Sequence, residues 1–459
     1  MTKSHNQTNI DSMLGRMEDV ETQLGSSTVC TAKWLQSTIY LMNGHTHSCH
    51  HPSTHKIPLS EIKRSSSSLH NTEFKKQVRG EMLAGKQPSE CNYCWNIENL
   101  GTNNISDRTY KSADNQWSHP YIQRVIDSKD TGDVDPTYLE VAFDNTCNFK
   151  CMYCTPDISS KWMEEIEQHG PYKVGIGNLD WIKLNDKMPI PNREANPYVD
   201  AFHDWFPKIK DNLTNFRITG GEPLLSKNTW RTLDELIINP NTNLTVAINT
   251  NLDVPDILIS KLIEYAGKLN GKIKSLEVYT SAEAHGKQAE YIRYGMNYER
   301  FMGNVNRVLT ETTVRVNFMI TFNALSVTSF TKFLSDIYDL RVKYNANDSD
   351  NRIPFMISYL RWPQFQDVRV LPTEIKQKYI TEILKFMHER DRNNSSNRAG
   401  RFYLEELDQA ERLKNYMETE IEFLQLETLR ESFKSFYNEY DSRRNTNFSE
   451  TFPELIELI

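Results

Sequence analysis

From residue 138 onward, short apolar runs alternate with amphipathic stretches. Tyr138–Phe143, Asn215–Thr219, Leu244–Asn249, Ser275–Tyr279, Val314–Thr321 and Pro354–Leu360 have the length and composition of buried strands. Between them, Pro197–Lys208, Lys227–Ile238, Val254–Ala266, Tyr298–Thr310 and Ser326–Tyr344 repeat their apolar residues at helical spacing. Strands alternating with crossover helices predict an α/β fold with a parallel sheet. Right-handed crossovers can curl such a sheet into a full or partial barrel.

The flanks read differently. Residues 1–28 form a flexible or weakly helical leader. Thr38–Met42 predicts a short strand ending at the Asn43-Gly44 turn, Ser65–Ser68 a loop, and Asn71–Leu83 a helix stopped by Gly85 and Pro88. Residues 111–136 read as a connector. Beyond residue 372 the pattern is helical, over Pro372–Arg390 and Tyr403–Tyr440, with a polar break at Asp391–Gly400. The expected organisation is a leader (1–28), a cysteine-rich module (29–110), a connector (111–136), a barrel (137–370) and a helical extension (371–459).

Composition narrows the function. The chain has 459 residues, 38% of them hydrophobic, enough for one large core and smaller units. Its net charge of -8 has no Lys/Arg block, so a broad nucleic-acid surface is not indicated. No apolar stretch reaches the ~18 residues of a membrane span, and the first 27 residues carry no secretory apolar core. The expected setting is the reducing cytoplasm. All seven cysteines lie in the first 154 residues. An odd number fits a disulfide framework poorly, and metal ligation is the better reading. They divide into Cys147, Cys151 and Cys154, and Cys30, Cys49, Cys91 and Cys94.

The first set has the spacing CxxxCxxC and directly follows the first predicted barrel strand. Three thiolates, rather than four, suit an iron–sulfur cluster that keeps one iron open to a small molecule. Zinc, or unligated buried thiols, is the bland alternative. About 65 residues further on, Thr219-Gly220-Gly221-Glu222-Pro223-Leu224 ends the second strand.

CxxxCxxC with an aromatic, Tyr153, before the last cysteine resembles the signature of radical S-adenosylmethionine (radical SAM) enzymes, and Gly220–Pro223 resembles that family's GGEP motif. The resemblance covers about residues 138–365 and implies a partial (β/α)6 TIM-like barrel. It implies a [4Fe–4S] cluster on Cys147, Cys151 and Cys154, with S-adenosylmethionine on the fourth iron. Reductive cleavage would give a 5′-deoxyadenosyl radical that abstracts hydrogen from a substrate, the cofactors doing the chemistry. By position, Gly220 and Gly221 would approach the methionine moiety and Glu222 its ammonium group. Arg293 would face its carboxylate, and Ser281 the ribose. Asn249 and Asn317 would face the cofactor. A plain strand-to-helix turn at 220–223, a surface salt bridge for Arg293 and structural roles for the polar residues are the competing readings.

Cys30, Trp34, Asn43-Gly44, Cys49, the Cys91/Cys94 pair, Glu98 and Gly101 resemble the cysteine-rich part of SPASM/twitch-type radical enzymes. In one branch that module precedes the barrel. Phe436–Leu455, with Asp441, Arg443 and Pro453, resembles the same branch's tail. Lys33-Trp34 and Cys49-His50 depart from the pattern, which leaves an auxiliary iron–sulfur cluster or zinc as the occupant. His45, His47, His50, His51 and His55 are expected on a polar, solvated loop. Residues 157–195 read as a lid or insertion. The resulting expectation is a radical SAM enzyme acting on a peptide or small metabolite, served by a reductant such as flavodoxin or ferredoxin. A metal-stabilised binding protein and a zinc-dependent interaction module are the rival classes.

Overall fold

The strand segments do become strands. The computed structural model describes residues 5–101, 104–129, 132–347, 351–391, 393–395 and 397–459. In chain order the strands are β1 (Gln36–Tyr40), β2 (His45–His47), β3 (His55–Lys56), β4 (Tyr138–Ala142), β5 (Lys150–Cys151), β6 (Asn215–Thr219), β7 (Asn241–Asn249), β8 (Ile273–Ser281), β9 (Arg293–Tyr294), β10 (Arg315–Phe322) and β11 (Phe355–Tyr359). Nine of them form one sheet in the order β11-β10-β8-β7-β6-β4-β1-β2-β3, and β5 and β9 form a separate pair. The fold is mixed α/β. From β11 to β1 every neighbouring pair is parallel, and the β1-β2-β3 edge is antiparallel.

The parallel strands each have one apolar face. Leu139 and Val141, Phe216 and Ile218, and Val246 and Ile248 are fully buried in the main core. Burial of each such side chain contributes roughly 1.5–3 kcal/mol. The crossover helices cover this face and start where the sequence supplies caps. Asn196, for example, accepts from the N–H groups of Tyr198 and Val199, with Pro197 at the first helical position. The opposite, inner face is polar and half-buried, carrying Glu140, Arg217, Asn249, Glu277, Tyr279 and Asn317.

Several flanking segments differ from expectation. Residues His5–Leu24 form one helix that buries Met13, Met17, Val20 and Leu24, and Gly25 follows it with φ 71°. Met1–Ser4 lie outside the described residues. The 111–136 region contains helix Ile122–Asp127, with residues 130 and 131 outside the described set. Of the break at 391–400, residues 392 and 396 also lie outside it. The single helix expected over 403–440 is two, Leu404–Glu418 and Phe423–Arg444. Glu418 ends the first, where the macrodipole disfavours an anion, and Glu422 occupies the N-cap of the second, where it favours one.

The β1 strand is the structural surprise. It comes from the cysteine-rich segment, yet it pairs in parallel with β4 over Gln36–Tyr40 and Tyr138–Ala142. The first cysteines are thereby carried on the same sheet as the other parallel strands.

Candidate active site at the ends of the parallel strands

β4 delivers the chain to the Cys147–Cys154 loop, which is tied at both ends. Asp144 accepts from the Thr146 N–H at 3.0 Å and from the Ser226 hydroxyl at 2.5 Å. The Cys147 N–H donates to Ser160 Oγ at 3.1 Å. β5 pairs with β9, setting Cys151 opposite Arg293. The indole N–H of Trp162 donates to the Cys151 carbonyl at 2.7 Å. All three thiols are only partly buried. Burial pushes the Cys147 thiol up to about 12 and raises Cys151 and Cys154 as well. Thiols raised in this way would have to release their protons in order to bind a metal.

Gly220 and Gly221 lie against this loop. Gly220 has φ 128°, and a Cβ at Gly221 would fall 2.3 Å from the Thr146 carbonyl oxygen and 2.7 Å from that of Asn145. The Gly221 and Glu222 N–H groups donate to Asp144 and Thr146 carbonyls at 3.2 and 2.7 Å. The glycines thus let two strand-end loops touch through their backbones. Glu222 is buried and accepts from the Leu224 N–H, the Thr250 hydroxyl and the Asn251 N–H at 3.0, 2.7 and 2.6 Å. Its carboxylate joins the ends of β6 and β7. Burial lifts it to about 7, against the pull of those three donors.

Arg293 is buried rather than on the surface. Glu283 engages its guanidinium at 2.7 to 3.1 Å, and Nη1 lies 3.8 Å from Cys151 Sγ. Tyr153 donates its hydroxyl to the same Glu283 at 3.0 Å. Cys151, Tyr153, Arg293 and Glu283 form one cluster under the cysteine loop. Ser281 ends β8 beside Met319 on the inner face. Asn249 accepts from Arg217 Nε at 2.9 Å, and Asn317 approaches Glu277 at 3.5 Å. Both asparagines belong to the inner-face network.

Cys30, Cys49, Cys91 and Cys94 line one small enclosed cavity, together with Lys33 and Arg108. Lys33 is buried and paired with Glu90. Arg108 is held by Glu98 at 2.9 and 3.0 Å and lies over the Trp95 ring. Four thiols beside two fixed cations can hold an anionic metal centre. The histidines divide: His50 is exposed and His51 partly buried on a loop, while His45 and His47 are not on a solvated loop. His45 and His47 are buried in β2, and burial pushes His47 down to about 4. Among the described residues, one group of three metal-capable side chains has all its ligand atoms within 4.8 Å of one another: His50, His51 and Asp107. Neither cysteine set is drawn that tightly.

No family model matches the chain. It is similar to GTP 3′,8-cyclase of Aliarcobacter butzleri (strain RM4018), 26% identical over 117 residues. That match spans 25% of this chain and 27% of the relative. Among solved structures, Streptococcus suis SuiB bound to S-adenosylmethionine is 14% identical, covering 78% of this chain and 70% of that one, with a TM-score of 0.35. SuiB bound to precursor peptide SuiA is 13% identical over the same shares, with the same TM-score. No described helix is long and apolar enough to cross a membrane.

Some site residues escape sequence reasoning. Arg444 reaches back to bind Glu165 through two nitrogens at 3.0 Å each and donates to the Lys150 carbonyl at 2.6 Å. Tyr437 donates to Met152 Sδ at 3.0 Å. The helical stripe Phe433, Phe436, Tyr437, Tyr440 and Arg444 was the available signal. Nothing in the sequence named the cysteine loop as its target.

Proposed function

We propose that this chain is a radical SAM enzyme with a partial (β/α)6 barrel over residues 137–370. A twitch/SPASM-like module at 29–110 and a helical extension at 371–459 flank it. The observation that carries the reading is the backbone contact between the Cys147–Cys154 loop and Gly220–Gly221 on adjacent parallel strands. Cys147, Cys151 and Cys154 would hold a [4Fe–4S] cluster, which with S-adenosylmethionine would supply the electron transfer and hydrogen abstraction. The chain's own residues fit that group. The three thiols share one loop, and Arg293 directs a donor at the Cys151 sulfur. Glu283 and Tyr153 fix that arginine. Glu222 holds the β6 and β7 ends together, which leaves Ser281 and the outer edge of Gly220–Gly221 to meet the cosubstrate. The cysteine quartet would hold an auxiliary iron–sulfur cluster, with Lys33 and Arg108 offsetting its charge. The substrate would be a peptide or small metabolite and the reductant a flavodoxin- or ferredoxin-type protein, in the cytoplasm.

The test is anaerobic. The chain is reconstituted with iron and sulfide, reduced, and assayed for 5′-deoxyadenosine beside a Cys147/Cys151/Cys154→Ala variant. Cleavage by the wild type alone, with about eight irons per chain, is expected. About four irons with full cleavage would retain the enzyme and remove the auxiliary cluster. A fully loaded chain that never cleaves S-adenosylmethionine would overturn the reading.

A further inference from the structure

The inner face of the sheet opens into a second cavity, of about 460 Å³, below the strand ends. That volume suits a small molecule. Its floor is one cross-strand row: His47 pairs with Thr38, Thr38 with Glu140, and Glu140 with Arg217. With neighbouring strands about 4.8 Å apart, the row spans roughly 14 Å. Helix Asp107–Ser112 of the cysteine-rich region roofs it with Tyr110 and Lys111.

The polar atoms on this floor are incompletely satisfied. His47 Nδ1 and the Gln36 side-chain oxygen are buried without a hydrogen-bond partner, and His47 is only 7% exposed. Glu140 comes no closer to Arg217 than 3.9 Å, outside hydrogen-bond range. Arg217 is nonetheless held in place, by Asn249 and by the face of Tyr279 at 4.5 Å. Of the three carboxylates in the lining, Asp107 is engaged by His51 at 2.7 Å and Asp114 by the Gln116 and Trp117 N–H groups, which leaves Glu140 facing Arg217 at 3.9 Å as the acceptor open to a ligand. An open carboxylate calls for a ligand that brings donors and a positive end. The fixed arginine at one end of the row calls for an acceptor at the other end of that ligand.

We propose that this cavity binds an amino-acid-like zwitterion, its ammonium group over Glu140, Gln36 and His47 and its carboxylate toward Arg217. Its identification as the enzyme's substrate rests on the function proposed above; the binding itself does not. Isothermal titration of the full chain uses the dipeptide alanyl-glutamate and its N-acetyl form. The free dipeptide is expected to bind, and N-acetylation to weaken it about tenfold or more. Glu140→Gln should weaken the free dipeptide to the same degree and erase the difference between the two probes. Gln36→Leu, at a half-buried position, should lower affinity in a chain whose thermal melt is unchanged. Equal binding of both probes, no binding of the dipeptide, or unaltered affinity in folded variants would overturn the assignment. S-adenosylmethionine cleavage without dipeptide binding would overturn this inference and leave the enzyme standing. Dipeptide binding without cleavage would do the reverse.

Discussion

Single atoms decide how the cysteine loop is held. A Cβ at Gly221 would sit 2.3 Å from a backbone oxygen of the loop, which no side-chain rearrangement can relieve. Gly221→Ala is expected to move that loop and to cut iron loading at the first site severalfold. The quartet should load normally, so total iron falls by about half, as read by iron and sulfide counts. Charge is equally local at Glu165, which contacts Arg444, Lys150 and Tyr172. Burial alone would raise this carboxyl, but Arg444 foremost, then Lys150 and Tyr172, bring it from 4.5 to about 2. A lowered carboxylate stabilises the fold above its unfolded value and loses that contribution as pH falls from about 4.5 toward 2. The shift corresponds to about 3 kcal/mol. Glu165→Gln should be less stable at pH 7, and the gap to wild type should close as denaturant midpoints are taken toward pH 3. A gap that stayed constant with pH would show that the ion pair is not its source. CxxxCxxC and the Gly-Gly pair were legible from sequence because their spacing is local. Glu283 as the partner of Arg293 was not, since their contact depends on how helix Gly286–Ile292 folds the chain back between them.

The same contrast holds for secondary-structure elements. Asn215–Thr219 and Lys227–Ile238 match expectation residue for residue, because a buried parallel strand and an amphipathic helix each leave a periodic trace. Elements defined by their partners left none. β1 was visible as a strand, but its parallel pairing with β4, about a hundred residues away, depends on long-range packing. That pairing also explains a glycine. Gly44 closes the β1-β2 turn with φ 67°, and a Cβ there would meet the Tyr198 ring at 2.1 Å. Tyr198 belongs to helix Pro197–Ile209 and donates its hydroxyl to the Ile57 carbonyl at 3.0 Å. Gly44→Ala therefore combines backbone strain with a core clash. It should lower stability by about 2–4 kcal/mol, measured by denaturant unfolding. Tyr198→Phe, which keeps the ring and loses one hydrogen bond, should cost only about 1 kcal/mol.

At the scale of the molecule, the cysteine loop is closed by the far end of the chain. Helix Phe423–Arg444 buries Phe433, Phe436, Tyr437 and Tyr440 in the main core, and Arg444 binds Glu165 under the Lys150–Cys151 strand. The last turn is fixed by Asp441, which accepts from the Tyr291 hydroxyl at 2.8 Å and the Phe448 N–H at 2.7 Å. Tyr291 precedes Arg293 by two residues, so this contact also supports the strand opposite Cys151. The cysteine loop therefore has two tethers, one local through β9 and one from the C-terminal helix. Removing the second should loosen the loop without dissolving the sheet, whose strands lie elsewhere. Arg444→Met removes the guanidinium that lies over the Trp162 and Tyr440 rings and leaves Glu165 with Lys150 and the Tyr172 hydroxyl. Because Lys150 still compensates the carboxylate, losing the Arg444 bonds costs about 1.5–3 kcal/mol. The variant should melt at a lower temperature and, once reconstituted, lose the visible absorption of its first cluster to air faster than wild type. The triple variant Lys150→Met/Glu165→Gln/Arg444→Met carries no charge at this site and should recover part of the melting temperature. Recovery of stability without recovery of air resistance would separate charge burial from loop tethering. Recovery of neither would mean that Arg444 acts chiefly through its bond to the Lys150 carbonyl.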